Sequence, residues 1–183
     1  MELHRKGKLI MKKVLQFAGL ISLALGAVAF ILMMATDAVI QPLIGDTQTI
    51  YAGTTAIFGK TTSTDVIIGT VESTTKGSPL ALIGWILLLV ALIIVLLGVI
   101  LPLLKVTALE KFAGILNLVA LVCFVVAGVF MFLVVPTFYS ANGWDMNDSV
   151  KIGAGWVIAG IVAIVAGAFA ILPAAAAFFG KKK

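Results

Sequence analysis

The sequence predicts an all-α integral membrane protein, a left-handed bundle of four transmembrane helices with a small extracellular β-hairpin in its long first outer loop. Three observations predict it. The chain has 183 residues and is 62% hydrophobic but only 11% charged, whereas soluble domains run at about 45–50% apolar and about 25% charged. Four apolar runs, 14–35, 80–104, 112–135 and 152–172, contain no charged side chain, and each is long enough to cross a hydrocarbon core of roughly 30 Å as helix. Small residues recur at heptad spacing in all four. A soluble protein of this size has no means of covering so much apolar surface, so lipid must cover it.

Each span is bounded by polar or turn chemistry. The first follows a basic tail, 1–13, that ends in Lys12 and Lys13, and it stops before Asp37. Ser78-Pro79 and Lys105 flank the second, Lys111 and Pro136 the third, Lys151 and Pro173 the fourth. Loops of 36–79, 105–111 and 136–151 join them, and 173–183 forms a second basic tail. Met11-Lys12-Lys13 resembles the opening of a signal peptide and makes 1–10 readable as an upstream extension. The apolar core of a signal peptide spans about 7–15 residues, however, and the longer run here is expected to stay as an anchor.

Basic residues set the orientation. Arg5, Lys6, Lys8, Lys12, Lys13, Lys105, Lys111, Lys181, Lys182 and Lys183 fall on one face, leaving Lys60, Lys76 and Lys151 for the other. The positive-inside rule places the richer face, with both termini, in the cytoplasm. The net charge of +5 therefore implies anionic lipid headgroups as partners rather than nucleic acid. Arg5 is the sole arginine, a lysine-heavy usage that fits a bacterium with an AT-rich genome, and the expected location is its plasma membrane.

The heptad positions are Gly19 and Gly26 in the first span, and Gly84, Ala91 and Gly98 in the second. Ala113, Ala120 and Ala127 follow in the third, and Gly153, Gly160 and Gly167 at the fourth. A seven-residue period holds one stripe against a partner in a left-handed crossing. Small side chains there let helices approach closely, which drives association in lipid. The stripes serve either the internal bundle or contacts between subunits. Within the spans the polar groups are few: Gln16, Ser22, Asn117 and Cys123. Asn117 is expected to bond across helices and set their register. Ion-coupled transporters and voltage sensors need ionisable groups at membrane depth, and these spans have none.

The first outer loop is too long and too patterned for a linker. Residues 49–58 and 65–72 are rich in β-formers, and Gly59 to Thr64 reads as a turn, predicting an antiparallel hairpin. A lone hairpin is marginal in water, so its apolar residues Ile50, Tyr51, Ile57, Phe58, Val66 and Ile68 are expected either to form an interaction surface or to lie on the helix tops as a cap over the bundle. In the second outer loop, Phe138, Tyr139 and Trp144 suit an interfacial aromatic belt. Asp145, Asn147 and Asp148 lack the remaining ligands of a calcium loop.

No catalytic constellation, metal-ligand cluster or phosphate-binding glycine loop is present in the sequence, so no enzymatic activity, cofactor, metal or small-molecule substrate is expected. The layout of four spans, termini inside and a long first outer loop with β character resembles the claudin-like tetraspan proteins. The resemblance is one of layout, since 36–79 carries neither the tryptophan motif nor the cysteine pair of that family. It implies assembly through the first outer loop. The expected function is a self-associating structural or scaffold component, with a passive pore-forming oligomer or an accessory subunit of a larger complex as alternatives.

Overall fold

The computed structural model describes residues 2–43, 47–66, 69–103 and 113–179. The cytoplasmic loop expected at 105–111 and the last residues of the C-terminal tail lie outside them. Four long helices dominate: α1 (Glu2–Ala35), α3 (Pro79–Leu103), α4 (Ala113–Phe132) and α6 (Ala154–Phe179). Two short ones, α2 (Gly53–Phe58) and α5 (Val134–Asn142), sit at one end. By length and composition all four long helices can cross a membrane, over Phe17–Ala35, Pro79–Ile100, Gly114–Phe132 and Ala154–Leu172.

The four helices close a ring in which α1 packs against α3 and α6, and α4 against the same two. Burial follows the helical period that a single inward face requires. On α1 the buried positions include Ser22, Gly26, Ala29 and Met33; on α3, Gly84, Leu88, Ala91 and Val95; on α6, Ala159, Ala163, Ala166 and Ala170. Phe124 on α4 fills the middle of the bundle and is fully buried. Only 28–39% of each span is buried inside the protein. The outward faces, including Ile83, Ile86, Val90 and Ile93 on α3, are exposed and apolar. A surface of that kind is stable only against hydrocarbon, which identifies an integral membrane protein.

Among the described residues five strands lie at one end, between and beside the helices. They are β1 (Asp37–Pro42), β2 (Gln48–Ala52), β3 (Lys60–Val66), β4 (Gly69–Thr75) and β5 (Lys151–Ile152). They form two antiparallel sheets, β2-β1-β5 and β3-β4. Thr36 alone separates α1 from β1, and Gly153 alone separates β5 from α6. The adjacent helices α1 and α6 thus continue into paired strands, Val39 opposite Ile152 and Ile40 opposite Lys151. Gly153 is obligatory at this junction, because a Cβ there would strike the Asp37 carbonyl.

The long loop does contain a hairpin, but with other strands than 49–58 and 65–72. Residues 48–52 pair with 37–42, a strand within a stretch that carries no strand pattern in the sequence. Residues 53–58 turn into α2, and the hairpin forms between 60–66 and 69–75, absorbing the expected turn at Gly59 to Thr64. Burial explains the switch at Gly53. A helix places Gly53, Ala56 and Ile57 together on one face against the bundle, and all three are buried. Strand alternation would send Ala56 and Ile57 to opposite sides.

Prolines also act differently than expected. Pro136 was expected to end the third span. Instead α4 breaks at Leu133, and the chain resumes as α5 with Pro136 in its first turn, where a missing N–H costs little. Thr137 repairs the break: its N–H and its hydroxyl both donate to the Leu133 carbonyl, at 3.3 and 2.8 Å. Pro173, expected to close the fourth span, lies within α6.

Candidate functional site

The strand-bearing end of the bundle gathers the chemistry of the chain. Phe138 and Tyr139, on the first turns of α5, are buried rather than facing lipid as a belt. Tyr51 from β2 meets Phe138 with ring centroids 5.0 Å apart, and Trp144 closes over Tyr51, Phe138 and Tyr139 at 5.7, 5.9 and 5.6 Å. These edge and tilted contacts suit aromatic quadrupoles and fasten the three-stranded sheet to α5. Burial pushes the phenols of Tyr51 and Tyr139 above the usual tyrosine value, and the neighbouring Tyr51 raises Tyr139 further. Among the described residues the Tyr139 hydroxyl and the indole N–H groups of Trp85 and Trp156 have no hydrogen-bond partner.

A polar seam holds the hairpin base to the helices. Asn142, at the end of α5, bonds the backbone N–H and carbonyl of Lys76 at 2.7 and 2.9 Å. The hydroxyls of Ser78 and Thr137 bond each other, and Ser78 also accepts from the Ala81 N–H at the start of α3. Gly59 takes a left-handed φ of +77°, which lets the chain leave α2 and enter β3 beside Thr75 and Gly77. Phe58 then lies on Trp85 of α3, centroids 5.3 Å apart.

The residues expected to form the outer interaction surface separate into three groups. Ile57 is core, and Tyr51 belongs to the aromatic cluster. Ile50 and Phe58 are exposed, at 45% and 53%. The side chain of Val66, and Ile68 altogether, lie outside the described residues. Hairpin residues Thr61, Thr62, Ser63, Thr64, Thr70, Val71, Glu72, Ser73 and Thr74 are exposed instead.

The small-residue stripes face inward within one chain. Gly19 lies against Val99, Gly26 against Phe124 and Leu92, and Gly84 against Phe130 and the Ala127 backbone. Gly160 approaches the Gly128 carbonyl, and Gly167 the Leu121 carbonyl. Ala91, Ala120 and Ala127 are buried; the Ala113 side chain is outside the described set. Asn117 is buried at the crossing of α3 and α4, where a Cβ on Gly98 would come within 3.5 Å of its Oδ1. Ser22 donates to the Ala166 carbonyl at 2.8 Å and so links α1 to α6. The side chain of Gln16 is not among those described.

Shallow cavities open at this end. One of about 220 Å³ lies between Pro79-Leu80 and the first turns of α5, and another of about 460 Å³ lies at the hairpin base. Among the described residues no three His, Cys, Asp or Glu side chains come together as a metal site. The sequence pattern does not mark Asn142, its bonds to the Lys76 backbone or the β1 strand. The one available signal was Val39-Ile40 immediately after the first span, an apolar pair where an exposed loop was expected. No protein-family model, curated protein or solved structure matches the chain.

Proposed function

We propose that this four-span protein is a non-enzymatic structural component of the bacterial plasma membrane, with cytoplasmic termini, that self-associates through its β3–β4 hairpin. The observation that carries the reading is the hairpin itself. It is two-stranded, residues 60–64 and 70–74 are exposed, and no third strand flanks it among the described residues. Isolated two-stranded ribbons are marginal in water, and open strand edges present unpaired N–H and C=O groups that another chain can satisfy. The small-residue stripes support the same assignment from the other side. They are occupied within the monomer, so at the strand-bearing end a neighbour would meet the hairpin and exposed Ile50.

The test is the mass of the complex extracted directly into lipid nanodiscs. A defined homo-oligomer is expected from the full chain. Excising 60–75 and joining the closely apposed hairpin base with a Gly-Gly link should reduce it to a monomer, with the bundle and three-stranded sheet retained. A monomeric full chain rejects self-association and leaves an accessory subunit of a larger complex as the function to pursue.

A further inference from the structure

The cavity at the hairpin base has a chemistry and a depth that the self-association reading does not use. It is lined by Phe58, Lys60, Thr61, Thr74, Thr75 and Lys76 together with flanking glycines, and holds about 460 Å³. Its lining includes two lysines and three threonines and no carboxylate. The nearest acid along β4 is Glu72, two residues beyond Thr74. Thr61 and Thr74 are cross-strand partners with hydroxyls 3.2 Å apart, so they present a pair of hydroxyls on one face.

Depth follows from α3. Its lipid-facing surface starts at Leu82 and Ile83, inside the first turns. Trp85 lies roughly 9 Å below the helix start at 1.5 Å per residue, and half-exposed Phe58 packs on it. Phe58 is thereby held at the edge of the hydrocarbon. Lys76 and the base of the hairpin, directly preceding α3, stand at headgroup level, the depth at which aromatic rings and lysines meet lipid.

We propose that this cavity binds the phosphate of an anionic phospholipid, with Lys76 and the Thr61/Thr74 hydroxyls around the headgroup, the long Lys60 side chain reaching it from the opposite face of the ribbon, and Phe58 beside the acyl chain. Lysines close to a membrane surface enrich anionic lipid roughly five-fold each. The site makes a specific lipid part of the protein's surface next to the hairpin.

The experiment uses the full chain in phosphatidylcholine vesicles, with Trp144→Phe so that Trp85 reports from beside the cavity while Trp156 stays buried. A minority of the lipid is replaced by phosphatidylglycerol or phosphatidylcholine with brominated acyl chains, and tryptophan quenching is read. Brominated phosphatidylglycerol should quench several-fold more strongly. The Lys60→Gln/Lys76→Gln variant should abolish the difference, and Lys151→Gln, a lysine at the same end outside the cavity, should preserve it. Equal quenching by the two lipids overturns the proposal, as does an equal loss in Lys151→Gln, which would mean general surface charge. Displacement of the phosphatidylglycerol effect by inorganic phosphate overturns the lipid assignment and gives the cavity to a soluble phosphate.

Discussion

The carboxamide of Asn142 pairs with both backbone groups of Lys76, its Oδ1 accepting from the N–H at 2.7 Å and its Nδ2 donating to the carbonyl at 2.9 Å. A second proton on Nδ2 goes to the Phe138 carbonyl at 2.8 Å. One side chain therefore closes the end of α5 and anchors the base of the hairpin, two parts of the chain remote in sequence. Asn142→Ala should cost about 1 kcal/mol, since the freed groups can reach water, and should speed amide exchange at Lys76. Asn142→Asp should be worse, because it faces two carbonyls with a carboxylate. Equal exchange rates in all three forms would show that the clamp carries no load.

Tyr139→Phe should stabilise the protein. The hydroxyl is buried without a partner among the described residues, and an unsatisfied buried polar group costs about 1–3 kcal/mol. Phenylalanine keeps the ring contacts with Phe138 and Trp144. Thermal unfolding in one detergent checks the direction, and a lower midpoint would mean that the hydroxyl is satisfied.

Alkaline pH should weaken the strand-bearing end. Tyr51 and Tyr139 are the two tyrosines of the chain, and burial raises both from the ordinary 10.0. The unfolded chain therefore ionises first as pH rises. The stability these neutral phenols contribute is intact below pH 10.0 and declines as pH climbs through their raised values. The phenolate absorbance titration should be displaced upward in the folded protein and should return to the ordinary value on unfolding. An undisplaced titration would contradict the buried cluster.

Glycines in the bundle should differ sharply in tolerance. At Gly128 an added Cβ would lie 2.7 Å from the Gly160 carbonyl, whereas at Gly84 its nearest neighbour is at 3.4 Å. Gly128→Ala should therefore cost about 1–3 kcal/mol through forced helix separation. Gly84→Ala should be neutral or mildly stabilising, since alanine is the better helix former. Resistance to unfolding in sodium dodecyl sulfate measures both, and equal effects would mean that the helices separate easily.

Ser22→Ala removes the bond to the Ala166 carbonyl between α1 and α6. Such bonds within membranes average about 0.6 kcal/mol, so the loss should be smaller than that of Gly128→Ala in the same assay. A larger loss would make Ser22 the principal lock of the α1–α6 pair.

By itself the sequence determined the four spans, their small-residue stripes and the places where the chain turns polar, while the tertiary structure turned those stripes inward. Those features follow from the length of uncharged apolar runs and from heptad periodicity, both local properties that lipid enforces residue by residue. It also predicted a hairpin in the long loop from the β-formers of 49–58 and 65–72, but its threonine-rich turn at Gly59 to Thr64 is a strand in the structure. Tertiary structure alone decided which strands pair, why Gly53 to Phe58 coil, and how Tyr51 meets Phe138, Tyr139 and Trp144. Residues 49–58 carry strand propensity, yet Ile57 and Ala56 gain more from burial together against α3 than from alternation. Val39 finds Ile152 only because α1 and α6 are neighbours in the ring. Asn142 finds Lys76 only because α5 folds back over the hairpin base. Contacts of that kind depend on where helices deliver distant segments, and no local pattern encodes the delivery.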